Sequence, residues 1–129
     1  MQMALDDAGL DAAGIDAMIA HATGTPKGDT AEINAINIVH GDRANPLPVS
    51  SIKGHIGHSG SSSGAMAVVN GLMAMAEGRF SLIANTDEPD PEARFDIVHG
   101  QSRELNIQTL QVNTFGFGGQ NASIVLTRT

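Results

Sequence analysis

Apolar positions in the first half of the chain predict helices and strands in alternation. Residues 1–9 place apolar side chains at helical spacing and end at Gly9, which is typical of a helix C-terminus. The short apolar run from Ala17 to Ala20 predicts a buried strand that ends at His21. A longer amphipathic stretch over residues 29–41 follows and predicts the clearest helix of the chain.

The helix predicted over residues 29–41 has both a start signal and an apolar face. Asp29 can cap its N-terminus, and Glu32, three residues later, can complete a capping box. Ile33, Ile36 and His40 fall on one side of the helix, so we expect that side to be buried.

The second half of the chain predicts a strand at residues 47–50, a long helix at 59–77 and a short strand at 95–98. The first half of the long helix is nearly all Gly, Ser and Ala, which lets another backbone approach closely, so we expect it to be buried. Three methionines are expected to fill the core around it: Met66, Met73 and Met75.

The last two predicted strands cover residues 109–114 and 122–127 and are joined by a glycine-rich loop. Because this connection is short, we expect the two strands to pair antiparallel. The element order then predicts a layered α/β fold with a mixed sheet whose last strand is reversed.

Composition excludes several classes of protein. The chain has 129 residues, the size of one domain, and a formal charge of −7, which argues against a nucleic-acid binder. It has no cysteine and therefore no disulfide, cysteine-type zinc site or thiol nucleophile of its own. No apolar run reaches the roughly 20 residues of a membrane helix, and the acidic first residues do not form a signal peptide. We expect a soluble, cytoplasmic protein.

Three loops are predicted to meet at one edge of the sheet: residues 21–29, 51–60 and 115–121. Ligands of open α/β sheets bind at this edge, beyond the carboxyl ends of the strands. His58 is expected to precede the long helix directly, where the helix dipole and nearby Lys53 disfavour a charged ring. A neutral imidazole can donate a hydrogen bond to a carbonyl that gains negative charge. A capping or buried histidine is the alternative.

Other interpretations of the same letters stay open. His55 and His58 have the spacing of a His-x-x-His metal pair, although no acidic third ligand is nearby. The letters His-Ile-Gly-His also match the motif of class I aminoacyl-tRNA synthetases, whose downstream Lys-Met-Ser-Lys-Ser loop is missing here. The glycine loop 116–119 is not a dinucleotide motif and is expected to permit positive φ angles.

Three motifs, in order, resemble the C-terminal half of the β-ketoacyl-acyl carrier protein synthases, elongating His-His condensing enzymes of the thiolase superfamily. These are AHATGTPKGDTAE, with Ala22 where glycine is usual, VSSIKGHIGHSGSSSGA, and NTFGFGGQNASIVL. IANTDEPDPE also resembles an Asn-x-x-x-Pro-Asp stretch of that family. The resemblance implies a thiolase-like half over residues 1–129, incomplete at its N-terminal side and lacking its first strand.

The resemblance also implies a role for each matching residue. His21, His58 and Lys53 are expected to be catalytic, the histidines holding a malonyl thioester during decarboxylation. The substrate-binding residues are expected to be Thr23, Thr25, Phe115, Phe117 and Gly118, with the threonines on the pantetheine arm and Phe117 as a gate whose N–H joins the oxyanion hole. No cofactor or metal is implied.

The expected partners follow from the same resemblance. They are an acyl carrier protein, a missing N-terminal half that carries the cysteine, and a second copy in a homodimer of the full enzyme; nucleic acid and membrane are not expected. The chain alone is expected to be inactive, with an exposed apolar face. Ala67 stands where many fatty-acid synthases have a glutamate that pairs with the lysine. Two alternatives are a non-catalytic chain-length-factor-like subunit and a nucleotidyl-transfer domain.

Overall fold

The computed structural model describes all 129 residues, which form four helices and seven strands joined by loops. The helices are α1 (Gln2–Ala8), α2 (Pro26–His40), α3 (Lys53–Ile56) and α4 (Ser63–Glu77). The strands are β1 (Ala17–Ile19), β2 (Pro48–Ser50), β3 (Arg79–Phe80), β4 (Asp96–Ile97), β5 (Arg103–Glu104), β6 (Thr109–Phe115) and β7 (Asn121–Thr127). Two 3-10 turns cover Ala12–Gly14 and Gly60–Ser62.

Five strands form one mixed sheet in the order β4-β2-β1-β6-β7. Strand β1 pairs in parallel with both β2 and β6, so that Met18 lies between Val49 and Gln111. Strand β7 pairs antiparallel with β6, and the predicted mixed sheet with a reversed last strand is confirmed. A second antiparallel pair, β3 with β5, was not predicted.

The sheet separates two apolar cores. Alternate residues of β1 point to opposite faces, so Ala17 and Ile19 join the core under α4, whereas Met18 and Ala20 join the core under α1 and α2. Ile33 and Ile36 of α2 are buried in the second core, as predicted.

Helix α2 begins earlier than its sequence pattern indicated, and the predicted cap was wrong. Thr25 is the N-cap residue and Pro26 occupies the first turn, a position that suits proline because its missing N–H would have no helical partner. Asp29 lies inside the first turn and accepts a hydrogen bond from the Gly24 N–H at 3.2 Å. Glu32 is buried and forms no capping box.

Helix α4 packs on the sheet through its smallest residues. A side chain at Gly71 would overlap the Leu110 side chain of β6. The backbone approach predicted for the first half of the helix is not seen at Gly64, whose neighbours are Thr114 side-chain atoms at 3.5 Å or more. The expectation that this helix is buried was wrong for its opposite face, which is exposed and apolar, and for most of residues 59–66. Met75 is in the core, but Met66 and Met73 are 40% and 54% exposed, beside Val69 and Leu72. None of the helices has the length and apolar character needed to cross a membrane.

Candidate active site

The three predicted loops meet at the carboxyl edge of the sheet. His21 follows β1, His58 lies in the connection from α3 to α4, and Phe115 ends β6. The ring centroids of His21 and His58 are 5.5 Å apart with nearly perpendicular planes, and those of His21 and Phe115 are also 5.5 Å apart. The two histidines are therefore close enough to contact one small ligand.

The backbone around His21 is held by a buried carboxylate. The His21 N–H donates to Glu32 Oε1 at 2.8 Å, and the Ala22 N–H donates to Glu32 Oε2 at 2.7 Å. Ala22 has a φ of 31°, a left-handed conformation that favours glycine. The Glu32 bonds thus stabilise a strained residue and fix the direction of the chain at His21.

Lys53 connects the α3 turn to the same histidine. Its Nζ donates to the His21 carbonyl oxygen at 2.5 Å and lies 3.4 Å from His21 Nδ1. Lys53 is 9% exposed, and burial lowers the pKa of its ammonium while the charge of Glu32 opposes this shift. With Ala67 buried and uncharged on α4, the acidic neighbour of this lysine comes from α2.

Glu32 is 4% exposed, and burial raises the pKa of its carboxyl group. Hydrogen bonds from the Ala22 and His21 backbone, a side-chain bond from Asn113 and the charge of Lys53 all act in the opposite direction. Both carboxylate oxygens accept backbone N–H groups, a geometry suited to the ionised form. We therefore describe Glu32 and Lys53 as a carboxylate and an ammonium in one buried cluster.

His21 is neutral at physiological pH. Burial lowers its pKa to about 4, with further contributions from the charge of Lys53 and from His58. Because an ammonium can only donate, the contact with Lys53 makes Nδ1 the acceptor and leaves the proton on Nε2.

His58 adopts the same tautomer by a different route. The Gly60 N–H donates to His58 Nδ1 at 3.1 Å, and Ser63 Oγ lies 3.0 Å from the same nitrogen. The backbone donor requires Nδ1 to be unprotonated, which places the proton on Nε2. The expectation that His58 directly precedes the long helix was wrong, because a 3-10 turn at 60–62 separates them.

The substrate-binding candidates divide into two groups. Thr23 lines a cavity of about 440 Å³ that opens beside Lys53 and His58 and continues between α2 and residues 83–97. Thr25 Oγ1 lies 3.0 Å from Thr23 Oγ1. Phe117 is fully exposed at the tip of the glycine loop. The aromatic ring that contacts His21 is that of Phe115.

The glycine loop has the predicted positive φ angles at two of its three glycines, and Gly116 is the exception. Gly118 and Gly119 have φ angles of 82° and 80°, which are open to glycine and strained for other residues. No neighbouring atom fills the space beside either glycine, so another molecule can approach this backbone.

Sequence reasoning missed Glu32 and Ser63 as parts of the site. Glu32 matched a capping box, and the signal that could have corrected this was its place on the buried face of α2, four residues before Ile36. Ser63 lay in a stretch of serines with nothing to distinguish it.

The first histidine of the His-x-x-His pair has a different environment. His55 Nε2 lies 2.8 Å from the carbonyl oxygen of Leu82. The structure contains no group of three or more His, Cys, Asp or Glu side chains placed to hold a metal ion.

The site thus presents two uncharged imidazoles whose Nε2–H groups form no hydrogen bond within the chain, with an ammonium beside one of them. Such donors, fixed before a reaction begins, stabilise an oxygen that becomes negative.

Comparison with known proteins gives matches along the whole chain. The family model described as "Beta-ketoacyl synthase, C-terminal domain" matches residues 1–87. The 3-oxoacyl-[acyl-carrier-protein] synthase 2 of Coxiella burnetii is 38% identical over 128 residues, which cover 99% of this chain and 31% of that protein.

Solved structures give the same result. A β-ketoacyl synthase from Burkholderia phymatum superposes with a TM-score of 0.93 at 35% identity, covering 100% of this chain and 31% of that one. The ishigamide ketosynthase/chain length factor gives 0.93 at 33% identity, covering 99% and 31%. The chain spans about a third of the length of the curated relatives that it matches.

Proposed function

The chain belongs to the β-ketoacyl synthase family as its C-terminal domain, and on that premise we propose that it supplies two histidines and a lysine for the decarboxylative condensation of acyl and malonyl thioesters. The observation that carries this proposal is the pair of neutral imidazoles, 5.5 Å apart, with free Nε2–H groups. Fatty acid and polyketide synthesis both use this reaction.

In the proposed reaction, His21 and His58 donate hydrogen bonds to the carbonyl oxygen of a malonyl thioester. The bond to the malonyl carboxylate breaks, carbon dioxide leaves, and the electron pair forms an enolate whose oxygen carries the new charge. The enolate carbon then bonds to the carbonyl carbon of an acyl-cysteine, and the cysteine thiolate leaves. Neutral imidazoles suit this step because they stabilise the enolate oxygen by hydrogen bonds and do not need to transfer a proton to it. Lys53 adds positive charge and, after burial, is the next cause of the lowered pKa of His21.

The cysteine must come from another segment or subunit, because this chain has none. The exposed apolar face of α4, with Met66, Val69 and Met73, supports this part of the proposal, because contact with another protein surface would remove apolar area from water. We propose that Thr23 and Thr25 bind the pantetheine arm of an acyl carrier protein and that Phe117 and Gly118 line its entry. A homodimer of the complete synthase, acting in the cytoplasm, completes the proposal.

A second candidate is a non-catalytic subunit that sets chain length. The similarity to the ishigamide ketosynthase/chain length factor favours it. The presence of His21, Lys53 and His58 in one constellation favours the catalytic role instead, because a subunit that only shapes a cavity has no use for paired Nε2–H donors.

The test separates the two half-reactions in the complete synthase. His21→Ala and His58→Ala should each slow malonyl decarboxylation by roughly 10²–10³-fold, the range found for loss of one oxyanion donor. Transfer of an acyl group to the cysteine should stay close to that of the unaltered protein. His99→Ala, at an exposed position away from the three loops, is the control. Equal loss of both half-reactions would count against the proposal.

A further inference from the structure

The α3 turn carries Lys53 and has few stabilising features within its own residues. It is four residues long, its N-cap Ile52 forms no side-chain cap, and it ends at Gly57 with a φ of 73°. A single helical turn is unstable by itself because few hydrogen bonds offset the ordering of its backbone. The position of Lys53 must therefore be set by contacts with the rest of the molecule.

Two side chains bind this turn to residues 82–85. The His55 Nε2–H donates to the Leu82 carbonyl oxygen at 2.8 Å. The Asn85 Nδ2–H donates to the Gly54 carbonyl oxygen at 2.8 Å. Both contacts join residues about thirty positions apart, so they are tertiary contacts rather than local turn bonds.

The backbones at this contact approach as closely as their residue types allow. A side chain at Gly54 would overlap the carbonyl group of Ala84, so only glycine fits there. Asn85 has a φ of 60°, a left-handed conformation that asparagine tolerates better than most residues. In this conformation the Asn85 side-chain amide reaches the Gly54 carbonyl oxygen.

Residues 82–85 are themselves anchored to the sheet. The Ile83 N–H donates to the carbonyl oxygen of Val98 at 2.7 Å, directly after β4, and Val98 is fully buried. The support for α3 therefore extends from the core through Val98 and Ile83.

From these contacts we propose that His55 and Asn85 are positioning residues, which fix α3 against residues 82–85 and thereby hold Lys53 at His21. As a statement about catalysis this rests on the proposed function, whereas the placement of Lys53 can be tested without any reaction. Neither residue reaches the two Nε2–H donors, and His55, the unassigned member of the His-Ile-Gly-His letters, gains a role of its own.

The readout is the pKa of His21, because a change in the position of Lys53 must alter it. Burial, Lys53 and His58 lower this pKa to about 4, the Glu32 carboxylate binds the His21 backbone, and Phe115 lies against the ring. If α3 moves away, the effect of the Lys53 charge on the pKa of His21 is lost, while the effect of burial by the rest of the molecule remains. The pKa should then rise part of the way toward 6.5.

The experiment is an NMR titration of the histidine rings in the full 129-residue chain. His55→Ala and Asn85→Gly each remove one bond, and glycine keeps the left-handed backbone at position 85. We expect each to raise the pKa of His21 by roughly half a unit or more, within the range of nearby-charge effects. Lys53→Met gives the shift for complete loss of the ammonium. His55→Gln, which retains a donor, should restore most of the original value, and His99→Ala should change nothing.

Two results would overturn the positioning role. One is an unchanged pKa of His21 in both bond-deleting variants; the other is an equal rise in the His99→Ala control. Should one of the two bond-deleting variants unfold, the other provides the same comparison. In the complete synthase His55→Ala should lower kcat for decarboxylation more than it raises KM. Absence of decarboxylation in the unaltered synthase would overturn the proposed function and leave the titration result standing.

Discussion

His21 and His58 present the same neutral tautomer, but different parts of the molecule produce it. His21 depends on side chains 11 and 32 residues away, Glu32 and Lys53. His58 depends on residues two and five positions later, Gly60 and Ser63. The first histidine is therefore a product of the tertiary fold, and the second of a local turn. Disturbing the core should affect His21 alone.

Burial extends this contrast. His21 is partly buried, and burial is the largest cause of its lowered pKa, whereas the His58 ring is exposed in this chain. The next residue, Ser59, donates from its Oγ to Met66 Sδ at 3.3 Å, which connects the His58 segment to the exposed apolar face of α4. A partner that covers this face would change the surroundings of His58 more than those of His21.

The largest effect is expected from Glu32→Ala. The change leaves two backbone N–H groups without acceptors and the Lys53 ammonium without its acidic neighbour, so the free energy of unfolding should fall by about 4 kcal/mol. Urea unfolding measures this loss, and NMR should show His21 perturbed while the Nδ1 bonds of His58 persist.

Glu88→Ala is the matched control for that change, because Glu88 is exposed and forms no ion pair. Its effect on the free energy of unfolding should stay within about 0.5 kcal/mol. A loss below about 1 kcal/mol for Glu32→Ala would contradict the tertiary origin of the His21 geometry.

A smaller effect is expected from pH. The pKa of His21 is lowered from 6.5 to about 4, so between these values the unfolded chain binds a proton that the folded chain does not. Stability is therefore present above pH 6.5 and lost as pH falls toward 4, by at most about 3 kcal/mol and by less because the ring is partly exposed.

Unfolding of the unaltered chain and of His21→Asn, compared across this pH range, measures that contribution. The variant should show a shallower pH dependence. Burial also lowers the pKa of His40, which gives a dependence of the same sign that both proteins retain. Parallel curves for the two proteins would show that protonation of His21 does not contribute to the pH dependence of stability.

The smallest effect is expected from Ser63→Ala, which removes one hydrogen bond to His58 Nδ1 and keeps the Gly60 N–H. Stability should change by no more than about 1 kcal/mol. The ¹⁵N shifts of the His58 ring should show a weaker preference for the Nε2–H tautomer. Ser61→Ala, at an exposed serine two residues earlier, is the control and should leave the ring unaffected.

The main elements of the fold could be predicted because their periodicity is long enough to detect. The seven residues each of β6 and β7, and the buried face of α2, show clear patterns. The pair β3 and β5 and the α3 turn have two to four residues each, too few for a period, and were missed. Convergence of the three loops followed from the rule that parallel strands end at one edge.

The supporting residues could not be predicted from local patterns. Glu32 had the spacing of a capping box. In the structure its carboxylate oxygens accept hydrogen bonds from backbone N–H groups 10 and 11 residues earlier, in the loop that follows β1. Both faces of α4 carry apolar residues, so hydrophobicity alone did not distinguish the side that this chain covers from the side that it leaves exposed.

Full exposure of Phe117 has a practical consequence for spectroscopy. Since the sequence contains neither tryptophan nor tyrosine, a Phe117→Trp variant would carry a lone fluorophore at the tip of the glycine loop. The emission maximum of the solvent-exposed indole would lie at long wavelength, and it would shift to shorter wavelength when a ligand or a neighbouring protein covers the indole. Association and loop closure could then be followed in real time without any attached dye.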